Sequence, residues 1–419
     1  MTSAEIIAVG SELLKPEKID TNSLWFTEKL NEIGIQVKVK IIVGDEIETI
    51  KQVVQQSLTR SELIILTGGL GPTQDDVTRE AVARAINREL IYSPEIAESI
   101  RQKFAMMNRP MLETNKRQAY IIDGARVLHN ENGTAVGMQL ELEEGQMIVM
   151  LPGPPRENQP MFEKQVLPIL RAKTGSVVFK RRVLKVSGMG ESAVDEAIAP
   201  IYSRYELIET TILFNRSEIE IHLMARADSE EKAINLLDDL TSEIVSKLGI
   251  AVFATNGETM EQVVGELLKS RGETVAVAES CTGGLIGMRL TEIPGSSAYF
   301  LQGVIAYSNE AKVRLLDVDE NLIKTHGAVS AEVAEAMARG MRMKSGSDYA
   351  ISVTGIAGPG GGTPEKPVGL VFIGYADREQ TKSLKVNLPG DRYLIRWRAS
   401  QMAMDYLRRK ILQKEDTKI

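Results

Sequence analysis

LIILTGGLGPTQDDVTREA, residues 63–81, decides how the first part of the chain folds. Leu63–Thr67 is a continuous apolar run closed by threonine, the pattern of a strand buried on both faces. Gly68, Gly69 and Gly71 then permit a tight turn, and a helix is predicted from about Asp76 to Asn87. Working outward, Ala4–Val9 is another short apolar run. Asp20 or Thr21 can cap a helix that ends near Gly34, Ile35–Val43 alternates like a strand, and Glu46–Arg60 is helical in pattern. Met147–Leu151 is a later strand that ends in the proline-rich turn LPGPP, 151–155. This βαβαβα order predicts a doubly wound α/β unit with a parallel sheet.

The rest of the chain divides again. Val177–Val186 and Glu218–Ala227 alternate polar and apolar residues, as strands with one wet face do, with helices expected near Glu191–Tyr202 and Glu230–Leu248. That is a small α+β unit. From residue 256 the pattern returns to α/β. Strands are expected at Thr274–Glu279, Gly303–Tyr307, Ala350–Thr354 and Val368–Tyr375, and a closing helix from about Asp391 to Leu412. The division is therefore placed at 1–172, 173–254 and 255–419.

Composition narrows the chemistry. The chain has 419 residues, enough for two or three domains, with 43% hydrophobic and 26% charged residues, ordinary for a globular protein. Fifty Lys and Arg against 57 Asp and Glu leave a net charge of −7, which disfavours a nucleic-acid partner. Cys281 is the single cysteine, so neither an intrachain disulfide nor a thiolate zinc site can form. The three histidines, His129, His222 and His326, make a histidine metal cluster a poor expectation. No basic-then-apolar leader and no run of about 18 apolar residues occurs, so no membrane association is expected and the cytoplasm is the expected location.

Three strings near the C-terminus carry chemistry. In AESCTGG, 278–284, a strand runs into Ser280, Cys281 and Thr282, and Gly283 and Gly284 open a helix. Strand ends of this kind hold ligands in α/β sheets, and free N–H groups such as those of Gly283 and Gly284 could stabilise an oxyanion. A helix cap with glycines for close packing is the plainer reading of that string alone. GVIAYSNEAK, 303–312, adds Tyr307, Asn309 and Lys312. No histidine flanks either string. A desolvated Lys312 could take the proton of Ser280, with Tyr307 relaying or orienting, although a solvated charge is the commoner fate of a lysine. VTGIAGPGGGTPEKPVG, 353–369, places Thr354 at a strand end and glycine at five of positions 355–362, so a ligand could approach the backbone closely near Gly355 and Gly358. Arg392 opens the last helix with Arg396 one turn on; either could grip a phosphate, or Arg392 could simply pair with Asp391.

In this order, AESCTGG, AYSNEAK, His326–Ser330, VTGIAGPGGG and Gly390-Asp391-Arg392 resemble the nicotinamide-nucleotide amidase domain over roughly residues 256–412. The resemblance implies hydrolysis of the carboxamide of nicotinamide mononucleotide to nicotinate mononucleotide and ammonia, with no cofactor. It implies Ser280 as nucleophile, Tyr307 and Lys312 as the activating pair, Thr354 near the substrate and Arg392 on the phosphate. Thr282, Gly283, Gly284, Asn309, Gly355 and Gly358 are further candidates for substrate contact. Cys281 is the rival nucleophile, ranked lower because no imidazole is at hand to activate it.

The N-terminal string TGGLGPTQDDVTREA, with Gly10–Leu14, Asp20–Ser23, Asn132–Ala135 and LPGPP, resembles the molybdopterin-binding fold. Gly68, Gly69, Gly71, Asn22, Asn132, Gly133 and Thr134 are its candidate ligand contacts. Asp75 and Asp76 could hold a divalent cation such as Mg2+ against a phosphate; capping of the following helix is the alternative. The two halves together resemble the competence/damage-inducible protein CinA family, whose middle segment is a KH-like domain. The resemblance implies an N-domain that cleaves ADP-ribose with a divalent metal, so that both ends serve pyridine-nucleotide salvage. A homodimer is the default assembly. Pro16 and Asn158 depart from the family pattern beside the N-terminal site. Gly188-Met189-Gly190 falls one residue short of the KH spacing, and Lys180, Arg181, Arg182 and Lys185 read as a solvated strand face. The competing expectations are a non-catalytic adaptor in competence or recombination, and an N-domain that binds a pterin.

Overall fold

The computed structural model describes residues 2–142, 145–174 and 177–416. They form two compact units, one built on the first 180 residues with 226–234, the other on 181–225 with 235 onward.

In the first unit a six-stranded sheet has the order Gln36–Val43, Ser3–Val9, Leu63–Thr67, Met147–Leu151, Gly137–Glu141, Arg126–Leu128. The first four strands are parallel. The last two run antiparallel, a departure from the all-parallel expectation. Those two strands are only five and three residues long, too short to show a period in sequence. Leu63 and Ile65 pack with Ala4, Ile6, Phe26 and Leu30 on one face, while Ile64 and Leu66 pack with Ile7, Val9, Ile50 and Val54 on the other. Both faces are covered, which is why the run carries no polar alternation. Asp20 caps the helix Thr21–Glu32 by accepting the Ser23 N–H at 3.0 Å.

The turn after Leu63–Thr67 needs its glycines. Gly68 and Gly69 have φ of +106° and +64°, and a Cβ on them would lie 2.1 Å from the Val9 carbonyl and 2.1 Å from Thr78 Oγ1. The helix begins at Thr78, not Asp76, and ends at Ala85. The Asp76 carboxylate instead accepts the Thr73 N–H at 2.8 Å and closes the preceding turn, so helix capping by the Asp pair is not what the structure shows.

The second unit holds a five-stranded sheet and most of a four-stranded one. A four-stranded sheet has the order Ile208–Asn215, Glu218–Ala227, Val178–Val186, Val252–Ala254, with helices Glu191–Tyr202 and Glu230–Leu248. Ile219, Ile221, Leu223 and Ala225 are buried in strict alternation. In the basic strand Arg182 pairs with Asp238 at 2.7 Å, Lys185 with Glu218 at 2.9 Å, and Arg181 meets His222 at 2.6 Å. A five-stranded sheet has the order Phe300–Ile305, Val275–Glu279, Tyr349–Gly355, Leu370–Ala376, Thr381–Asn387. Its first three strands are parallel and the rest antiparallel. The long helix Arg392–Asp416 packs against it through Ile395, Ala399, Ala403 and Leu407. Among the described residues no helix is long and apolar enough to cross a membrane.

Candidate functional site

Ser280 is the first residue beyond the strand Val275–Glu279, and its N–H donates to the Val353 carbonyl at 2.9 Å on the neighbouring strand. Lys312 comes from the helix Asn309–Leu316, which Ser308 caps by accepting the Ala311 N–H. That helix turns Lys312 inward until it is 1% exposed. Its Nζ lies 3.3 Å from Ser280 Oγ, 3.0 Å from the Ala306 carbonyl and 3.1 Å from the Tyr307 carbonyl. Among the described residues it makes no ion pair, and burial holds its pKa below the usual 10.5. A neutral amine has two N–H donors and one lone pair. All three partners can accept from the amine, and the hydroxyl can also donate to the lone pair that the neutral form carries.

The loop after Ser280 is held from both sides. The buried Glu279 carboxylate accepts the N–H groups of Gly284, Ile286 and Gly287 at 3.0, 3.1 and 2.8 Å. The Gly283 N–H donates to the Ser280 carbonyl at 3.1 Å. The amides of Gly283 and Gly284 are therefore occupied and cannot form the oxyanion pocket expected of them. Among the described residues the Thr282 amide donates to nothing and the Cys281 amide reaches only its own thiol, so these two are the ones in this loop without a carbonyl or carboxylate partner. On the other side Arg396 donates to the Cys281 and Thr282 carbonyls at 3.2 and 2.6 Å. In a trans peptide C=O and N–H point opposite ways, so this grip on the Cys281 carbonyl turns the Thr282 N–H away from the arginine. Thr282 itself is fully buried with Oγ1 unpaired. Burial also pushes the Cys281 thiol up to about 12, far from a thiolate at neutral pH.

Tyr307 is 60% exposed. Its phenol accepts from Arg392 Nη2 at 3.3 Å and, among the described residues, does not bond Lys312 or Ser280; its carbonyl does the orienting. Arg392 Nη1 donates to the Gly358 carbonyl at 2.8 Å, bringing the glycine-rich loop to the same place. Asp391 accepts the Leu394 N–H and starts the helix; it does not pair with Arg392. Thr354 follows Val353, the partner of Glu279 across the sheet, and its hydroxyl donates to the Ala328 carbonyl. At Gly355 a Cβ would come within 2.8 Å of the Leu370 carbonyl, so that glycine serves strand packing. Asn309 is exposed, and its side chain makes no hydrogen bond among the described residues.

In the first unit a cleft of about 790 Å³ gathers Asn22, Gly68, Gly69, Gly71, Asp75, Asp76, Asn132, Gly133 and Thr134. Three groups that sequence reasoning passed over shape it. Arg79, 3% exposed, donates to the Leu70 and Gly71 carbonyls at 2.7 and 2.9 Å, and burial pushes it down to about 10. Lys103 donates to the Gly133 carbonyl at 2.7 Å. Asn130 accepts the Asn132 N–H at 3.0 Å and donates to the Ala135 carbonyl at 2.9 Å. A buried polar residue beside a glycine-rich turn is the signal that could have found them. Asn158 is fully buried and donates to the Pro152 and Gly153 carbonyls at 3.0 and 3.1 Å, so this departure from the family pattern fastens the LPGPP turn. Pro16 lies exposed, just beyond the short helical turn Ser11–Leu14.

The donor set of the cleft also bears on a divalent metal. Among the described residues no three acidic or imidazole side chains converge as a ready-made cage. Asp76 is engaged with Thr73, while Asp75 bonds nothing among the described residues. Asp75 and Glu12, unbonded among the described residues, in a cleft where Asp20 and Asp45 are already engaged, fit a hard cation bound chiefly through phosphate and water oxygens.

Fold and sites together define a multidomain α/β protein with a molybdopterin-binding-like N-terminal domain, a KH-like middle domain and a separate α/β C-terminal domain. Three family models match in that order: "Probable molybdopterin binding domain" over residues 5–172, "Damage-inducible protein CinA KH domain" over 181–254 and "CinA C-terminal domain" over 257–411. A CinA-like protein of Solibacter usitatus is 47% identical over 414 residues, 99% of each chain. One of Koribacter versatilis is 45% identical over 412 residues, 98% of this chain and 100% of its own. Among solved structures, the competence/damage inducible protein CihA of Agrobacterium tumefaciens is 38% identical, covering 36% of this chain and 94% of its own, with a TM-score of 0.35. The chain belongs to the CinA family.

Proposed function

We propose that the C-terminal domain hydrolyses the carboxamide of nicotinamide mononucleotide. The observation that carries this reading is the Lys312 amine, buried without an ion pair and 3.3 Å from Ser280 Oγ. Neutral Lys312 accepts the Ser280 proton as Oγ attacks the carboxamide carbon. The carbonyl π electrons move to oxygen, which the amides of Cys281 and Thr282 receive. The C–N bond then breaks, the Lys312 ammonium gives its proton to the departing nitrogen, and ammonia leaves an ester on Ser280. Water, deprotonated by the same amine, cleaves the ester to release nicotinate mononucleotide and restore the hydroxyl. A nucleophile, a proton shuttle and two amide donors suffice for every step, each contributing in the range usual for such groups.

The two arginines divide the remaining work. Arg392, exposed beside Tyr307 and Gly358, binds the substrate phosphate, whereas Arg396 braces the loop. Arg392→Ala should raise KM about 10-fold or more with kcat little changed, as loss of a charge-assisted contact does. Arg396→Ala should lower kcat instead. Steady-state ammonia release in the presence of chelator measures both, and a kcat effect at Arg392 alone would reverse the assignment. Absence of ammonia release from the wild-type protein would remove the amidase reading.

For the N-terminal cleft we infer cleavage of the diphosphate of ADP-ribose. The support is a glycine turn, in which the Gly69 and Gly71 amides donate to nothing among the described residues, beside Asp75, a free carboxylate. A divalent ion held there would neutralise charge on the phosphates. Asp75→Asn should reduce metal-dependent AMP release by about 10-fold or more and leave ammonia release unchanged. A wild-type rate of AMP formation would take Asp75 out of the reaction.

A further inference from the structure

The N-terminal cleft is not uniform. Its glycine turn and acidic residues lie with Gly68, Gly71 and Asp75, but its lining also includes Phe104, Met107 and Gln118. Met107 is 54% exposed, a large apolar side chain left open to the cleft. Phe104 packs on the cluster containing Ala119, the residue after Gln118. Gln118 is 1% exposed, and its Oε1 is buried without a partner. Its Nε2 likewise donates to nothing among the described residues. The neighbouring buried amides behave differently. Asn115 accepts the Leu112 N–H and Asn130 is bonded at both ends. Asn22 and Asn158 have unpaired oxygens but donate through Nδ2. Gln139 is likewise buried with an unpaired oxygen but does not line the cleft; a buried amide oxygen without a partner is costly to a fold, and on the wall of a cleft, as at Gln118, it points to a ligand that completes it.

We propose that Gln118, with Phe104 and Met107 as apolar walls, forms a base subsite selective for a 6-aminopurine. A primary amide presents a donor and an acceptor side by side. Adenine offers the complementary pair, the N6 amino group and N7, whereas a 6-oxopurine offers two acceptors on that edge and leaves one contact unmade. An aromatic ring and a thioether supply the flat, polarisable walls a purine requires. The inference deepens the ADP-ribose reading by naming what would hold the base, and rests on it only for the choice of nucleotide.

The test is calorimetric titration of the full-length protein with AMP, IMP and neopterin, repeated on Gln118→Met, which keeps side-chain volume and removes the amide. AMP should bind about fivefold or more tightly than IMP, the lower end of what one such amide contact discriminates. In Gln118→Met that preference should vanish, KM for ADP-ribose should rise with kcat held, and the ligand-free melting temperature should not fall, because no protein partner is lost. Phe104→Leu should weaken AMP and IMP alike and keep the preference, which guards against a Gln118 variant that fails to fold. Equal binding of AMP and IMP to the wild type, no binding of either at millimolar concentration, tighter binding of neopterin, or a preference surviving in Gln118→Met would each overturn the proposal. AMP binding needs no turnover. AMP selectivity lost in Gln118→Met, together with no cleavage of ADP-ribose by the wild type, would remove the pyrophosphatase reading and leave this subsite standing.

Discussion

Ser280→Ala is expected to lower ammonia release from nicotinamide mononucleotide by about 10³-fold or more while the protein stays folded. The size follows from the role proposed for the hydroxyl: among the described residues it is the one side-chain nucleophile bonded to the Lys312 amine, and loss of a covalent nucleophile costs orders of magnitude. The structural cost is small. Among the described residues Ser280 Oγ bonds only Lys312 Nζ, so removing it forfeits about 1 kcal/mol. Circular dichroism and thermal melting should therefore match the wild type. Cys281→Ala is the internal control. Its thiol is 6% exposed and pushed up to about 12, so under about one molecule in 10⁴ carries a thiolate at neutral pH, and the variant should retain its rate within about twofold. Full activity in Ser280→Ala combined with collapse in Cys281→Ala would transfer the chemistry to the thiol.

Where the sequence is legible, a simple physical pattern is present. Leu63–Thr67 and Met147–Leu151 are strands with those very bounds because both faces of the sheet are covered, which leaves an uninterrupted apolar run. Glu191–Tyr202 and Glu230–Leu248 show because one face of each packs and the other is wet. Strands Ile208–Asn215 and Thr381–Asn387 escape the reading because both are largely exposed, the first with Leu213 and Phe214 in solvent and the second with charged or hydroxyl residues at four of its seven positions. The strand expected at Gly303–Tyr307 lies three residues earlier, at Phe300–Ile305, because Ala306 and Tyr307 turn their carbonyls to Lys312. The site divides the same way. Ser280 and Lys312 stand in recognisable strings, but that their side chains meet is a fact of the sheet order, which sets Phe300–Ile305 beside Val275–Glu279. Glu279 is visible as a carboxylate ending an apolar strand, and Glu5 in Ser3–Val9 is another buried acid of this kind, gripped by Arg60. Such an acid must meet donors, and sequence does not say whether those are an arginine or the amides of the next helix. The fate of the Gly283 and Gly284 amides was hidden for that reason.

Lys312→Met should abolish ammonia release to a similar degree and at the same time remove a pH-dependent cost from the fold, a pairing that a permanently charged or merely space-filling side chain would not produce. Burial of the amine outweighs the opposing pull of Glu310, and among the described residues it makes no ion pair, so its pKa in the folded chain lies below the value near 10.5 that the unfolded chain shows. Between those two values the unfolded state holds the extra proton, so wild-type stability rises with pH across that window. Below the folded pKa the wild type bears the full cost of charging a buried amine, and above about 10.5 it bears none. Methionine fills the same volume and never titrates. Urea unfolding at a series of pH values from about 6 to about 10.5 should therefore show the wild type gaining in stability relative to the variant as pH rises. Catalysis follows the same proton. The base must be neutral, so kcat/KM of the wild type should climb through the lowered Lys312 pKa and then level, tenfold per pH unit on the rising limb. Lys312→Arg, which cannot lose its proton in this range, should stay inactive at every pH on that limb. A pH-independent rate in the wild type, or a Lys312→Met variant that is less stable than wild type at low pH and equal to it in activity, would show that the amine only fills space.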